Sequence, residues 1–123
     1  MEQDSFGCVK LNKIDDIKKR LTTDKSSLEI CADIWQLGNY GKEAYSATKK
    51  LIKILYTQPD WRVRSWIVWS LGRIGGKRSK RVLSKVSKKD DEEFIRDGAK
   101  IALDDLELRD KFLDEYENLP AKE

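Results

Sequence analysis

Trp35-Gln36-Leu37-Gly38-Asn39-Tyr40-Gly41 and Trp69-Ser70-Leu71-Gly72-Arg73-Ile74-Gly75 carry Trp, Leu, Gly and Gly at matching places, 34 residues apart. Val63-Arg64 answers to Ile95-Arg96, and Ser70-Leu71 to Ala102-Leu103, each at an offset of 32. Three copies at a period of 32 to 34 residues point to stacked supersecondary units. A unit of that size cannot bury its apolar face alone, so neighbouring copies must cover one another.

Within each copy the spacing is helical. After Asp60, placed as an N-cap, Val63, Ile67, Ser70, Leu71 and Ile74 fall on one face, with Gly72 and Gly75 near the end. After Gly41, Ala44, Ala47, Leu51, Ile52 and Leu55 make another apolar stripe, and Lys49, Lys50 and Lys53 take the wet side. Val82, Leu83 and Val86 follow Gly76 on a shorter helix. Asp90 or Asp91 then opens a helix carrying Ile95, Ala99, Ala102, Leu103 and Leu106. At the front, Leu11, Ile14, Ile17 and Leu21 are apolar at helical spacing, and Thr23-Asp24 turns the chain before Leu28, Cys31, Ala32 and Trp35. Strand signals are absent.

The connections are short and polar, which forces antiparallel neighbours. The expectation is one all-α domain over residues 1–123, an outer then an inner helix three times over, with repeats at about 11–39, 42–74 and 77–107. A C-terminal capping helix at 108–119 closes it, with Phe112 and Tyr116 at i and i+4 and acids on the other side.

Composition narrows the chemistry. Histidine is absent, which removes Ser-His-Asp and Cys-His arrangements and makes zinc, haem and non-haem iron sites poor expectations. Cys8 and Cys31 are too few for a disulfide scaffold and match no metal-ligand spacing, so they read as reduced thiols. The acidic start lacks the regions of a signal peptide, and no apolar run reaches the length of a membrane span. A cytoplasmic protein with no catalytic residue, metal or cofactor is expected. Gly72-Arg73-Ile74-Gly75-Gly76 ends a helix rather than following a strand, so it is no phosphate cradle. The neighbouring acids Asp15-Asp16 and Asp104-Asp105 splay apart on a helix.

The segment Asp60-x-x-Val63-Arg64-x-x-Ile67-x-x-Ser70-Leu71-Gly72-x-Ile74-Gly75 resembles the second helix of a HEAT repeat, in the variant called phycobilisome-lyase-type HEAT-like repeats. The resemblance covers about residues 11 to 107 and implies a right-handed α-solenoid. It also implies an Asp–Arg ladder between repeats, with Asp60 and Arg64, and Asp91 and Arg96, in those roles. Asp24 is present in the first repeat, but Glu29 stands where arginine is expected, so the ladder should end there.

The resemblance further implies that the second helix of each pair lines a concave surface, with the position two before the leucine pointing into it. Trp35, Trp69 and Ile101 occupy that position, apolar where the family tends to be wet. On the middle helix Arg62, Trp66, Trp69 and Arg73 stand at i, i+4, i+7 and i+11, and Trp61 sits at the mouth. The plainer reading of a tryptophan at helical spacing is packing against the next helix, and for Trp35 and Trp66 both readings stay open. Tryptophan and arginine together are enriched at binding hot spots.

Charge is segregated along the chain. Lys42 to Lys89 holds fourteen basic and two acidic residues, whereas Asp90 to Glu123 holds five and thirteen. Lys77, Arg78, Lys80, Arg81 and Lys85 form a basic patch on an outer helix, a place whose exposed side is polar in any case. The reading that follows is a non-catalytic module binding a protein or peptide, an acidic partner being one option beside a plain solvated role for the basic patch. A nucleic-acid module gripping phosphates through the basic patch is an alternative. A subunit associated with chromophore lyases, stacking its tryptophans on a tetrapyrrole, is another. No membrane partner is expected.

Overall fold

The structure, a computed structural model, describes residues 12–120. Cys8 and Leu11 therefore lie outside the described residues. Helix α1 spans 12–20, α2 spans Ser27–Asn39, and a 3₁₀ segment at Gly41–Ala47 runs into α3, Thr48–Thr57. Then come α4, Trp61–Ile74; α5, Lys77–Lys89; and α6, Glu93–Glu117. No strand occurs among the described residues.

These six helices form three antiparallel pairs. Helix α4 packs between α2 and α6, so the second helices make one layer. The first helices make the other, where Lys50 of α3 donates to the Lys18 carbonyl on α1 and α3 touches α5. Between the layers lie Ile14, Ile34, Leu51, Ile67, Leu71, Leu83 and Ile95, all essentially sealed from solvent. Each such side chain contributes about 1.5–3 kcal/mol relative to exposure, which outweighs the weak propensity terms of these short helices.

The repeated Leu-Gly pair has a packing reason. A methyl group added at Gly38 would stand 2.5 Å from the Ser70 hydroxyl oxygen and 2.5 Å from the Trp69 ring, so α2 and α4 approach where no side chain intervenes. At Gly72 the same addition meets the Ala102 methyl at 3.0 Å, which is the α4–α6 approach. Ser70 donates to the Ile34 carbonyl at 2.7 Å and so ties α4 to α2 at that closest point.

Four details differ from the sequence expectation. The stripe Leu28, Ala32 and Trp35 faces outward; α2 buries Ile30, Asp33, Ile34 and Leu37 instead. Asp33 interrupts that row in sequence, yet it is buried because Lys25 and Arg20 close on its carboxylate. The helix expected from Gly41 begins as a 3₁₀ segment with non-helical Ala44. Three residues per turn bring Ala44 and Ala47 onto one line, and both are fully buried. Neither Asp90 nor Asp91 is the residue that opens α6, which starts at Glu93 after Glu92. Asp90 accepts the Glu92 N–H at 3.0 Å from two residues back. Finally, 108–117 is no separate capping helix but a continuation of α6, because no Gly or Pro interrupts the run from Ala99 to Glu117.

The ladder between repeats is present with other partners. Arg64 makes a two-pronged bond to Asp90 of the next repeat, 3.3 Å for each prong, and also donates to the Gln58 and Pro59 carbonyls. Asp60 is held by Arg62, two residues on, and by the Ser27 hydroxyl of the preceding repeat at 2.6 Å. Arg96 reaches the Asp90 carbonyl rather than Asp91. Arg62 wins Asp60 because it sits beside the cap in the first turn, which frees the longer reach of Arg64 for the next loop. In the first repeat Ser26 caps α2, and Glu29 completes a capping box with it, which accounts for a glutamate where an arginine is expected.

Asp60 carries a pH consequence. The Arg62 side chain, then the Ser27 hydroxyl, then the Arg62 N–H hold its carboxyl well below the usual carboxylate range. A folded value below the unfolded one means that the ionised carboxylate stabilises the fold above about pH 4, and that this contribution is lost as pH falls further. Asp60→Asn is therefore expected to lower the melting temperature at neutral pH and to flatten its decline below about pH 4. Calorimetric scans from pH 7 to pH 2 read this directly; parallel acid limbs for the two proteins count against the assignment.

Candidate partner-binding face

The layer of α2, α4 and α6 presents a face rich in exposed aromatic rings. Trp35, Trp61 and Trp66 are 49%, 47% and 39% exposed, so the open question over Trp35 and Trp66 resolves to surface rather than core. Trp69 is partly buried, because glycine at position 38 leaves room for its ring against α2. Trp66 meets Trp69 edge-on at 5.5 Å, and the Arg73 guanidinium lies over the Trp69 ring at 5.6 Å. Arg73, Trp69 and Trp66 thus form one rigid stack on α4, favourable through ring quadrupole and cation–π attraction. Trp61 makes a second edge-on contact, at 5.8 Å, with Phe94 of α6.

Two grooves flank α4. One, of about 400 Å³, lies toward α2 and is lined by Leu28, Cys31, Trp61, Arg62, Trp66 and Phe94. Burial, and the Asp60 charge after it, push the Cys31 thiol up, which keeps it a neutral apolar wall. The other, of about 530 Å³, lies toward α6, with Trp69 and Arg73 on one side and Phe94, Ile101, Asp105 and Arg109 on the other. Arg62 rims the first groove with its guanidinium tied to Asp60. Arg109 donates to the Gly72 carbonyl at the end of the second.

The structure thus brings Trp35, Trp61, Arg62, Trp66, Trp69, Arg73 and Ile101 to one face. It adds Leu28, Phe94 and Arg109. Leu28 stands seven residues before Trp35, Arg62 seven before Trp69, and Phe94 seven before Ile101. Residues seven apart share a helical face, so that spacing was the available signal.

Lys77, Arg78, Arg81 and Lys85 are exposed on α5, in the opposite layer, while Lys80 is paired with Asp110 of α6 at 2.5 Å. Ser79, Val82, Leu83 and Val86 take the buried side of that helix. Among the described residues no group of His, Cys, Asp and Glu could hold a metal ion, and no helix is long and apolar enough to cross a membrane.

Three helix pairs stacked through Leu-Gly contacts and joined by Arg–Asp bonds from loop to loop agree with what the comparison with family models finds. A model of HEAT repeats matches residues 14–104, most of the chain. The chain belongs to the HEAT repeat family. No curated protein and no solved structure matches it. HEAT repeats generally mediate protein–protein interaction and are typically non-catalytic scaffolds. In this HEAT protein the second helices of the pairs carry all the described tryptophans and phenylalanines, and the first helices carry most of the lysines.

Proposed function

We propose that this HEAT protein is a non-catalytic recognition module whose α2–α4–α6 face holds a segment of a protein partner. The observation that carries the reading is the Trp66–Trp69–Arg73 stack. It stays partly open to solvent although the opposite side of α4 already completes the core with Val63, Ile67 and Leu71. Rigid tryptophans beside arginine lose little conformational freedom on binding, and contiguous apolar surface of this kind marks interaction sites. Arg73 at the edge of the second groove favours a segment that brings a carboxylate together with an apolar anchor.

The reading is tested by affinity capture from the native cell extract with wild type and a Trp69→Ala, Arg73→Ala variant, followed by calorimetry with the recovered protein. A loss of at least about thirtyfold is expected, as for truncation of a hot spot. Because Trp69 also packs on α2, Arg73→Glu and Trp66→Ala serve as variants that leave the core untouched. A partner that binds all of them like wild type overturns the proposal. The basic patch on α5 supports a second reading, nucleic-acid binding on the other layer, which predicts affinity falling steeply with salt.

A further inference from the structure

Helix α6 carries an apolar row that the fold leaves uncovered. After Asp110, every residue through Leu119 is exposed, including Phe112, Tyr116 and Leu119 at 63–64%. A helical overhang of about two to three turns is marginal in water without a neighbour. From Ile101 the row runs through Asp105, Leu108, Phe112 and Glu115, advancing by four and three residues in turn, and Leu119 follows just past the helix end. That alternation is the seam of a heptad repeat, cut to fit one further helix.

We propose that this seam docks a single α-helix of a basic partner, with Lys or Arg facing Asp105 and Glu115; the idea rests on the α2–α4–α6 face being the binding face and extends it past the third repeat.

Charge selects the occupant. Helix α6 holds nine acids and four bases, and Asp97 and Asp104 line one flank of the seam, with Lys111 its only base there. The other flank is closed by the domain at its start, where Ile95 is buried and Ala102 partly so, and lies open further on at Arg109 and Tyr116. A second copy of the chain fits badly. In parallel it sets Asp105 and Glu115 of one seam against the same acids of the other, and in antiparallel it sets the Asp97–Asp104 side against its own likeness. A lysine- or arginine-flanked helix meets both acidic seam positions and the acidic flank at once.

The probes are two synthetic helical peptides of about three heptads. Both carry Ile and Leu along the seam; one has Lys and the other Glu at the flanks and opposite Asp105 and Glu115. Fluorescence anisotropy with the full chain is expected to show the Lys peptide binding at least about tenfold tighter than the Glu peptide. Leu108→Glu with Phe112→Glu, both exposed positions and with helical circular dichroism checked against wild type, should weaken it at least about tenfold. Asp104→Lys with Glu115→Lys should pass the preference to the Glu peptide, which adventitious stickiness would not do.

Equal binding of both peptides, undiminished binding by the Leu108→Glu, Phe112→Glu variant, or a preference that does not exchange each overturns the seam. So does a dimer of the chain alone, in sedimentation, that Phe112→Glu disperses. If the native partner is lost with Trp69→Ala, Arg73→Ala while neither peptide binds wild type, the face stands and only the seam falls.

Discussion

Arg64→Ala is expected to lower the unfolding free energy by about 3–5 kcal/mol, the range for removing one partner of a buried ion pair. The pair is well shielded, with 14% of the Arg64 side chain and 11% of the Asp90 side chain left exposed. Truncation leaves the Asp90 carboxylate without its counter-charge and abandons the Gln58 and Pro59 carbonyls, which Arg64 also serves. One side chain thus ties the loop before α4 to the loop before α6. Arg64→Lys should recover only part of the loss, because an ammonium cannot span both carboxylate oxygens and two carbonyls. Urea unfolding with an unchanged slope checks the magnitude, and Arg64→Ala with Asp90→Ala should cost less than the two single losses added. A single-variant loss below about 1 kcal/mol would mean that this joint is held by apolar packing alone.

Gly38→Val is the second large effect, expected at about 3 kcal/mol or more from overpacking. Alanine is favoured over glycine by about 1 kcal/mol in a helix interior, so propensity alone predicts stabilisation by Gly38→Ala. The geometry reverses that sign, since the added carbon would stand 2.5 Å from both the Ser70 oxygen and the Trp69 ring. Gly38→Ala should therefore destabilise by about 1–3 kcal/mol. Shrinking the facing ring tells the clash from any other cause: in a Trp69→Ala background part of the penalty of Gly38→Ala should vanish. Thermal melts of the four proteins give the coupling. Independent, additive losses would show that the ring does not press on α2.

These two positions illustrate what could be read in advance. Trp69, Leu71 and Gly72 announced the repeat because each does something chain-wide: a leucine for the core, a glycine for the close approach of the next inner helix. The partner of Arg64 was not readable. Asp60 and Asp90 both lie within reach of a side chain that long, and only the spatial offset between successive loops decides for Asp90. Helix α2 was misread for a related reason. It is apolar on two sides, and the buried side is interrupted by Asp33, whose charge is accepted inside only because Lys25 and Arg20 come to it.

The aromatic face was partly legible. Spacing placed Trp66, Trp69 and Arg73 on one stripe, and what it lacked was the next helix, from which Phe94 completes the contact with Trp61. The extent of α6 was missed because the boundary at 107/108 was set by repeat length, whereas the chain itself offers no residue that stops a helix there.

The central place of α4 bears on how the chain acquires its structure as it is made. Helices α1 and α2 leave the ribosome before α4, yet the inner-layer neighbour that α2 meets among the described residues is α4, which begins at Trp61. Until that helix is out, Ile34 and Leu37 lack the cover that α4 gives them, and the first repeat is a hairpin without its inner-layer neighbour. Once α4 arrives it can join two repeats in one step, with contacts spanning about one repeat in sequence, a short search that favours rapid folding. The third repeat then adds to a surface already in place.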